Sequence, residues 1–155
     1  MSIISDIEKL KKEKNAVILA HYYVDEDVQD IADYIGDSFY LSKVATKIDQ
    51  DRIIFAGVEF MGESAKILNP DKRVFMPDMN ADCPMAHMAD KDEILKLREE
   101  YDDLAVVCYI NSTAELKKYS DVCVTSSNAV KIVKNLPNKN IFFIPDRNLG
   151  HFVAK

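Results

Sequence analysis

The sequence predicts an α/β protein made of two homologous β-α-β-α-β units, each a small parallel sheet flanked by helices. Apolar runs without polar alternation, such as 16–20 and 104–108, alternate with segments of helical spacing. An internal match supports duplication, because 74–83 and 142–151 both read Pro-Asp-x-Asn after an apolar run, 68 positions apart. The short connections require parallel strands with right-handed crossovers.

The repeat also predicts which segments correspond. At the 68-residue spacing, strand 52–56 falls over 120–124. Nearer the amino terminus the spacing becomes 88, which places 18–23 over 106–111. The first unit is therefore expected to hold 20 additional residues, which we assign to an extra helix.

Caps, breakers and apolar spacing define the elements of the first unit. We expect an opening helix at 2–14, a strand covered on both faces at 16–20, a helix from Asp25 through Ile35 stopped by Gly36, a helix at 39–48 capped by Ser38, a strand at 52–56, a helix at 60–68 and a strand at 73–76. A boundary near 85–89 then divides the chain into units 1–87 and 88–155.

The second unit is predicted in the same way. We expect a helix at 90–101, strands at 104–108, 121–124 and 141–144, a helix between the first two strands opened by the capping-box spacing from Ser112 to Glu115, and a helix at 128–135 capped by Ser126 or Ser127. No further element is predicted after Gly150.

Composition narrows the class of protein. The 155 residues carry a net charge of -6 and no basic stripe, which argues against nucleic-acid binding. No apolar run approaches the roughly 20 residues that cross a bilayer, and no signal-peptide pattern is present, so a cytoplasmic protein is expected. Three cysteines in such a chain predict reduced thiols or metal ligation rather than a disulfide framework.

Polar side chains cluster where ligands bind in parallel sheets, outside the carboxyl ends of the strands. These positions are His21, Tyr23, Ser38, Glu59, Asp78, Asn80 and Cys83 in the first unit, and Tyr109, Asn111, Thr125, Ser126, Asn128 and Asp146 in the second. Two interpretations are open: the side chains close the strand ends by bonding loop backbone, or they contact a ligand. For Asp78 and Asp146 the Pro-Asp-x-Asn pattern favours a structural turn.

The three cysteines receive different predictions. Cys108 and Cys123 lie within strands and are expected to be buried as small apolar groups. Cys83 lies in a loop before Pro84, and its spacing to His87 suits a metal, but two ligands do not make a site.

Several of these residues fall in motifs that resemble quinolinate synthase. The matching segments are Ile-Leu-Ala-His-Tyr-Tyr at 18–23, Val-Gln-Asp-Ile-Ala-Asp-Tyr-Ile-Gly-Asp-Ser at 28–38, Phe-Ala-Gly-Val-Glu-Phe-Met-Gly-Glu-Ser-Ala-Lys-Ile-Leu-Asn-Pro at 55–70, Cys-Tyr-Ile-Asn-Ser-Thr-Ala-Glu at 108–115, Val-Thr-Ser-Ser-Asn-Ala-Val at 124–130 and Pro-Asp-Arg-Asn-Leu-Gly at 145–150. Together they span nearly the whole chain.

The resemblance implies an enzyme of NAD biosynthesis that condenses iminoaspartate with dihydroxyacetone phosphate and dehydrates the product to quinolinate. It further implies three similar α/β units around a [4Fe–4S] cluster, each unit giving one cysteine, of which Cys83 is the first. The substrate-contacting residues it implies are His21, Tyr23, Ser38, Tyr109, Asn111 and Ser126, with His21, Tyr23 and Tyr109 as the catalytic ones. The third unit has no counterpart in these residues, so the chain is expected to be a truncated or half form, inactive alone.

Two other hypotheses are compatible with the sequence. One is a catalytically silent α/β module that binds a small phosphate or dicarboxylate anion. The other is an assembly half, which associates with itself or with a separate chain that carries the missing unit.

Overall fold

A computed structural model describes residues 2–155, and packing divides the chain into two compact units, with the boundary along the sequence between Asp82 and Cys83. The helices are α1 Ile3–Glu13, α2 Glu26–Asp30, α3 Ser38–Ala45, α4 Glu59–Leu68, α5 Lys91–Glu100, α6 Ala114–Lys118, α7 Ala129–Val133 and α8 Arg147–Val153, with a 3-10 turn at Pro84–His87. The strands are β1 Ala16–His21, β2 Tyr34–Gly36, β3 Arg52–Ala56, β4 Arg73–Phe75, β5 Leu104–Tyr109, β6 Val122–Val124 and β7 Asn140–Ile144. No helix within residues 2–155 is long and apolar enough to span a membrane.

Each unit is built on one parallel sheet. The first has the strand order β2-β1-β3-β4 and the second β6-β5-β7, and every neighbouring pair runs parallel. Helices connect successive strands, as a parallel sheet requires. The predicted α/β class, with two units of small parallel sheets flanked by helices, is confirmed.

The central strands are covered on both faces, as their unbroken apolar runs predicted. Val17 to His21 of β1 are all buried. In β5, Val106 and Cys108 pack toward α5 and α6, while Val107 packs on the opposite face with Val124 and Ala129. The polar groups at the carboxyl ends of β1 and β5 therefore rest on rigid, dry strands.

The predicted helix from Asp25 through Ile35 was wrong in its second half. Helix α2 ends at Asp30, and Tyr34–Gly36 forms the edge strand β2, which pairs with β1. The apolar spacing of this segment suits a helix, but Asp33 fixes it as a strand. Its carboxylate accepts the Ile18 N–H at 2.8 Å, and its own N–H donates to the Ile18 carbonyl at 2.9 Å.

The two-part repeat spacing was also wrong, because one spacing of 88 relates both units throughout. The β1–β2 pair Leu19↔Tyr34 returns as Val107↔Val122, and the β1–β3 pair Ala16↔Arg52 returns as Leu104↔Asn140. Strand β3 therefore corresponds to β7, and β6 corresponds to the missed strand β2. The first unit has no additional helix inserted. The sequence match at a spacing of 68 residues aligned two Asp turns that occupy different places in the fold.

Those Asp turns do form as predicted. Asp78 accepts the Asn80 N–H at 2.8 Å. Asp146 accepts the N–H groups of Asn148 and Leu149 and thereby caps α8, a helix that the sequence prediction lacked.

The carboxylate of Asp33 has a counterpart 88 positions later in Asp121. Asp121 accepts the Val106 N–H at 2.7 Å and pairs with Arg98 at 2.8 Å. In the first unit Asp33 pairs with Lys11 at 2.9 Å. An acidic residue that locks the edge strand onto the central strand is thus a structural device common to both units.

Candidate functional site at the strand ends

The spacing of 88 turns six predicted site residues into three equivalent pairs. His21 and Tyr109 end the central strands, and Tyr23 and Asn111 lie two residues further along. Ser38 and Ser126 follow the edge strands, two residues after Gly36 and Val124, the strand partners of His21 and Tyr109. Each unit therefore places three polar side chains at the carboxyl edge of its own sheet.

His21 is the buried member of the first set, with 6% of its surface exposed. Its Nδ1 accepts the Tyr23 N–H at 3.2 Å, so the proton of the neutral ring is on Nε2. Burial lowers the pKa of His21, and the negative charge of Asp37 only partly opposes this effect. The ring is thus neutral at pH 7 with one N–H to offer.

Tyr23 is the exposed member, with 84% of its surface accessible. Its ring meets His21 edge-on at 4.6 Å between centroids and meets Tyr22 edge-on at 4.8 Å. The Tyr22 N–H donates to the Gly36 carbonyl at 3.3 Å, which ties the end of β1 to the end of β2. Tyr23 therefore presents a hydroxyl to solvent from a ring held by aromatic neighbours.

Ser38 is not the helix cap that the sequence predicted. Asp37 caps α3 and accepts the Tyr40 N–H at 2.7 Å, so Ser38 is the first helical residue. Its carbonyl accepts the Ser42 hydroxyl at 2.7 Å. Because Asp37 does the capping, capping does not occupy the Ser38 hydroxyl.

Asn111 carries the one buried side-chain oxygen that lacks a hydrogen-bond donor among the described residues, its Oδ1. Buried amide oxygens are nearly always bonded, so this atom is suited to an N–H or O–H from a ligand. Tyr109 at the strand end is half-buried, and its carbonyl accepts the Ser112 hydroxyl at 2.7 Å.

Ser126 and Ser127 do not cap α7 either. The cap is Asn128, and its Oδ1 accepts the Thr125 N–H at 2.7 Å, which closes a turn over residues 125–128. Both serines are exposed, and the Ser127 hydroxyl lies 2.9 Å from the Thr125 hydroxyl.

The burial of the three cysteines differs in part from the prediction. Cys108 is fully buried as expected, but the prediction for Cys123 was wrong, because it is exposed on the edge strand β6. Cys83 is half-buried in the loop before the 3-10 turn, where its carbonyl accepts the Ala86 N–H. Within residues 2–155, no three His, Cys, Asp or Glu side chains are placed to hold a metal ion together. Cys83 therefore has no set of companion ligands among the described residues.

Three residues near these sites were absent from the sequence-based set. Asp37 caps α3 and is the carboxylate whose charge acts on His21. The Tyr22 ring contacts the rings of His21 and Tyr23, and Ser112 bridges Cys108 and Tyr109. Asp37 was detectable, since an Asp directly before a helix is a common cap, whereas the contacts of Ser112 depend on tertiary packing.

Comparison with known proteins gives a match along nearly the whole chain. The family model for quinolinate synthetase A protein matches residues 5–155. The chain belongs to this family.

Individual relatives agree with this assignment. The chain is similar to quinolinate synthase of Fusobacterium nucleatum, with 66% identity over 149 residues, 96% of this chain and 50% of the relative. It is 57% identical over 155 residues to the enzyme of Clostridium perfringens, and 56% identical over 155 residues to that of Pyrococcus abyssi, in each case 100% of this chain and 52% of the relative. The chain thus spans about half the length of the curated relatives it matches.

Proposed function

We propose that this chain supplies the substrate-contacting residues of the first two units of a quinolinate synthase, which condenses iminoaspartate with dihydroxyacetone phosphate and dehydrates the product to quinolinate. The observation that carries the proposal is the buried Oδ1 of Asn111, which lacks a donor at one of the three polar strand-end positions that both units share. Membership of the quinolinate synthetase A family supports the reaction class.

His21 and Tyr23 have the properties of a proton-handling pair. His21 is neutral, with Nδ1 engaged by the Tyr23 N–H, so its Nε2–H can donate to a substrate oxygen. The exposed Tyr23 hydroxyl can both give and accept a proton, which suits a shuttle between neighbouring oxygens during loss of water. Tyr109, the counterpart of His21, brings a phenol to the same position in the second unit.

The amide and the hydroxyls suit binding rather than proton transfer. Asn111 Oδ1 accepts an N–H or O–H, and an imine or hydroxyl of the condensing substrates offers one. Ser38 and Ser126 donate to carboxylate or phosphate oxygens, which are the anionic groups of the two substrates. Ser38 follows β2 and Ser126 follows β6, which supports the proposal of one such donor in each unit.

Cys83 is proposed as one ligand of a [4Fe–4S] cluster, with the remaining ligands supplied by residues outside this sequence. A cluster held by three cysteines leaves one iron open, which supplies a Lewis acid for a hydroxyl or carboxylate oxygen. The partner that this chain needs is the remaining half of the protein, either in the same polypeptide or as a complementing chain.

A chimera tests the proposal. Residues 1–155 are joined to the remaining half of the Fusobacterium relative, and quinolinate formation is measured under anaerobic conditions. Tyr23→Phe should lower kcat about a hundredfold, because it removes one proton-transferring hydroxyl and little packing. Asn111→Ala should raise KM about tenfold through the loss of a substrate hydrogen bond.

Matched controls lie outside the strand ends. Tyr34→Phe on the edge strand and Asn135→Ala, whose amide donates to the Lys131 carbonyl one helical turn away, should leave both kinetic constants unchanged. Unchanged kinetics in Tyr23→Phe and Asn111→Ala would leave these residues as structural closures of the strand ends. An inactive chimera that still binds a dicarboxylate would favour the silent anion-binding module.

A further inference from the structure

Two thiols of the second unit face each other across neighbouring strands. Cys108 of β5 and Cys123 of β6 are direct partners in the parallel ladder. Directly paired residues of a parallel sheet point to the same face, and neighbouring strands lie about 4.8 Å apart. A disulfide needs Cα atoms about 4.4–6.8 Å apart, so this pair lies within bonding range without movement of the backbone.

The two cysteines have complementary access to solvent. Cys108 is fully buried in the cluster formed with Ile94, Val106 and Leu116, whereas Cys123 is exposed on the edge strand. A small molecule can therefore reach the thiol of Cys123, whereas the thiol of Cys108 is shielded from solvent.

The surroundings of Cys108 favour its thiolate. The hydrogen bond from Cys123 lowers the pKa of Cys108 to about 6, with further help from the positive charge of Lys117, against the opposing effect of burial. The same interaction raises the pKa of Cys123. The first proton is therefore lost from Cys108, and the remaining proton is on Cys123.

We propose that Cys108 and Cys123 form a reversible disulfide when the chain meets a low-molecular-weight disulfide such as oxidised glutathione. This site is separate from the proposed substrate contacts and from Cys83. The inference rests on the ladder pairing, the buried–exposed arrangement of the two thiols and the contacts of Cys108.

The exchange balances in two steps. Cys123 passes its proton to the Cys108 thiolate and attacks one sulfur of the small disulfide, breaking its S–S bond and expelling a thiolate that takes up a proton from solvent. Cys108 then loses its proton to solvent and attacks the Cys123 sulfur, expelling the second small thiolate. The two protein thiols are oxidised to a disulfide, and the small disulfide is reduced to two thiols.

Oxidation would act on the loop that follows β5. The Cys108 sulfur lies 2.8 Å from the Ser112 hydroxyl, and that hydroxyl lies 2.7 Å from the Tyr109 carbonyl. A bond to Cys123 draws the sulfur away from Ser112 and leaves the hydroxyl with the carbonyl alone. The disulfide therefore changes the side-chain contacts beside the Tyr109 carbonyl.

Peptide mapping of the 155-residue chain tests the proposal. The folded, reduced chain is treated with oxidised glutathione, denatured, alkylated and digested with trypsin, which cuts at Lys117 and Lys118 between the two cysteines. The expected product is a Cys108 peptide joined to a Cys123 peptide, with free thiols falling from three to one, and dithiothreitol should reverse it. Glutathione retained on Cys123 beside a free Cys108, or a bond between Cys83 and Cys123, would overturn the proposal.

Two variants keep the result interpretable. Cys83→Ser should form the same link, because Cys83 takes no part. Cys123→Ser changes an exposed side chain, so it should fold normally by circular dichroism and leave Cys108 as a free thiol. If Cys108 in folded Cys123→Ser took up glutathione, the buried sulfur would be reacting directly and the proposed order of steps would be wrong.

Discussion

Removal of the Asp121 carboxylate should destabilise the second unit mainly through one backbone N–H. Asp121 accepts the N–H of Val106, a residue with 0% exposure at the centre of β5. Asp121→Ala leaves that buried N–H without an acceptor, which costs about 1–3 kcal/mol. The ion pair with Arg98 is partly exposed on both sides, so its loss adds about 1 kcal/mol or less.

Asp121→Asn separates these two contributions. Its Oδ1 can still accept the Val106 N–H, and only the charge interaction with Arg98 is lost. We therefore expect Asn to cost under about 1 kcal/mol and Ala to cost about 2–3 kcal/mol. Asp33→Ala and Asp33→Asn form the matched series in the first unit, where the Ile18 N–H takes the place of Val106.

The measurement is urea unfolding followed by circular dichroism. Burial alone would raise the pKa of Asp121, but the Val106 N–H and Arg98 hold it below its ordinary 3.8. The contribution of this carboxylate is therefore present above pH 3.8 and is lost as the pH falls through the lowered pKa, so wild type and Asp121→Asn should converge in acid. Equal losses in the Ala and Asn variants at pH 7 would refute the role of the Val106 bond.

Two further predictions concern His21 and Cys83. Since burial lowers the pKa of His21, its unfolded form takes up a proton first, so stability should hold above pH 6.5 and fall below it by at most about 1.4 kcal/mol per pH unit. His21→Asn, whose Oδ1 can replace Nδ1 as acceptor for Tyr23, should flatten that profile in urea titrations, and an unchanged slope would assign it to another group. Residues 1–155 alone should retain no stable iron–sulfur cluster, whereas the anaerobically reconstituted chimera should hold one that Cys83→Ser abolishes and Cys123→Ser spares. Full iron and sulfide in Cys83→Ser would remove Cys83 from the ligand set.

The local pattern of apolar residues was sufficient to predict the central strands, but it did not predict the edge strand β2. Strands β1 and β5 are unbroken apolar runs, and burial on both faces follows from that. The edge strand β2 has only three residues, and its apolar spacing continues that of α2. What makes it a strand is the pair of bonds between Asp33 and Ile18, which are 15 residues apart in sequence.

The same limit explains the errors over Cys123 and the repeat. An edge strand is uncovered on one side, so an apolar residue within it can be exposed. Whether Cys123 is buried therefore depends on the position of β6 in the sheet and not on the residues next to it in sequence. The Pro-Asp-x-Asn match at a spacing of 68 came from turn chemistry, which recurs wherever an Asp follows a strand. Strand registers have no such ambiguity, and they fix the spacing at 88.

Comparison of the two units at this spacing separates residues that maintain the fold from residues that differ for function. The edge-locking acid is identical in both units, Asp33 and Asp121. Two of the three strand-end pairs instead change chemistry at equivalent backbone positions, from His21 to Tyr109 and from Tyr23 to Asn111, whereas the third pair is serine in both units. A sheet that only needed its ends closed could use the same side chains twice, whereas contact with different parts of a ligand requires different donors and acceptors. The divergence at these positions therefore favours ligand contact over strand closure, and exchanging Tyr23 and Asn111 in the chimera should impair both proton transfer and binding.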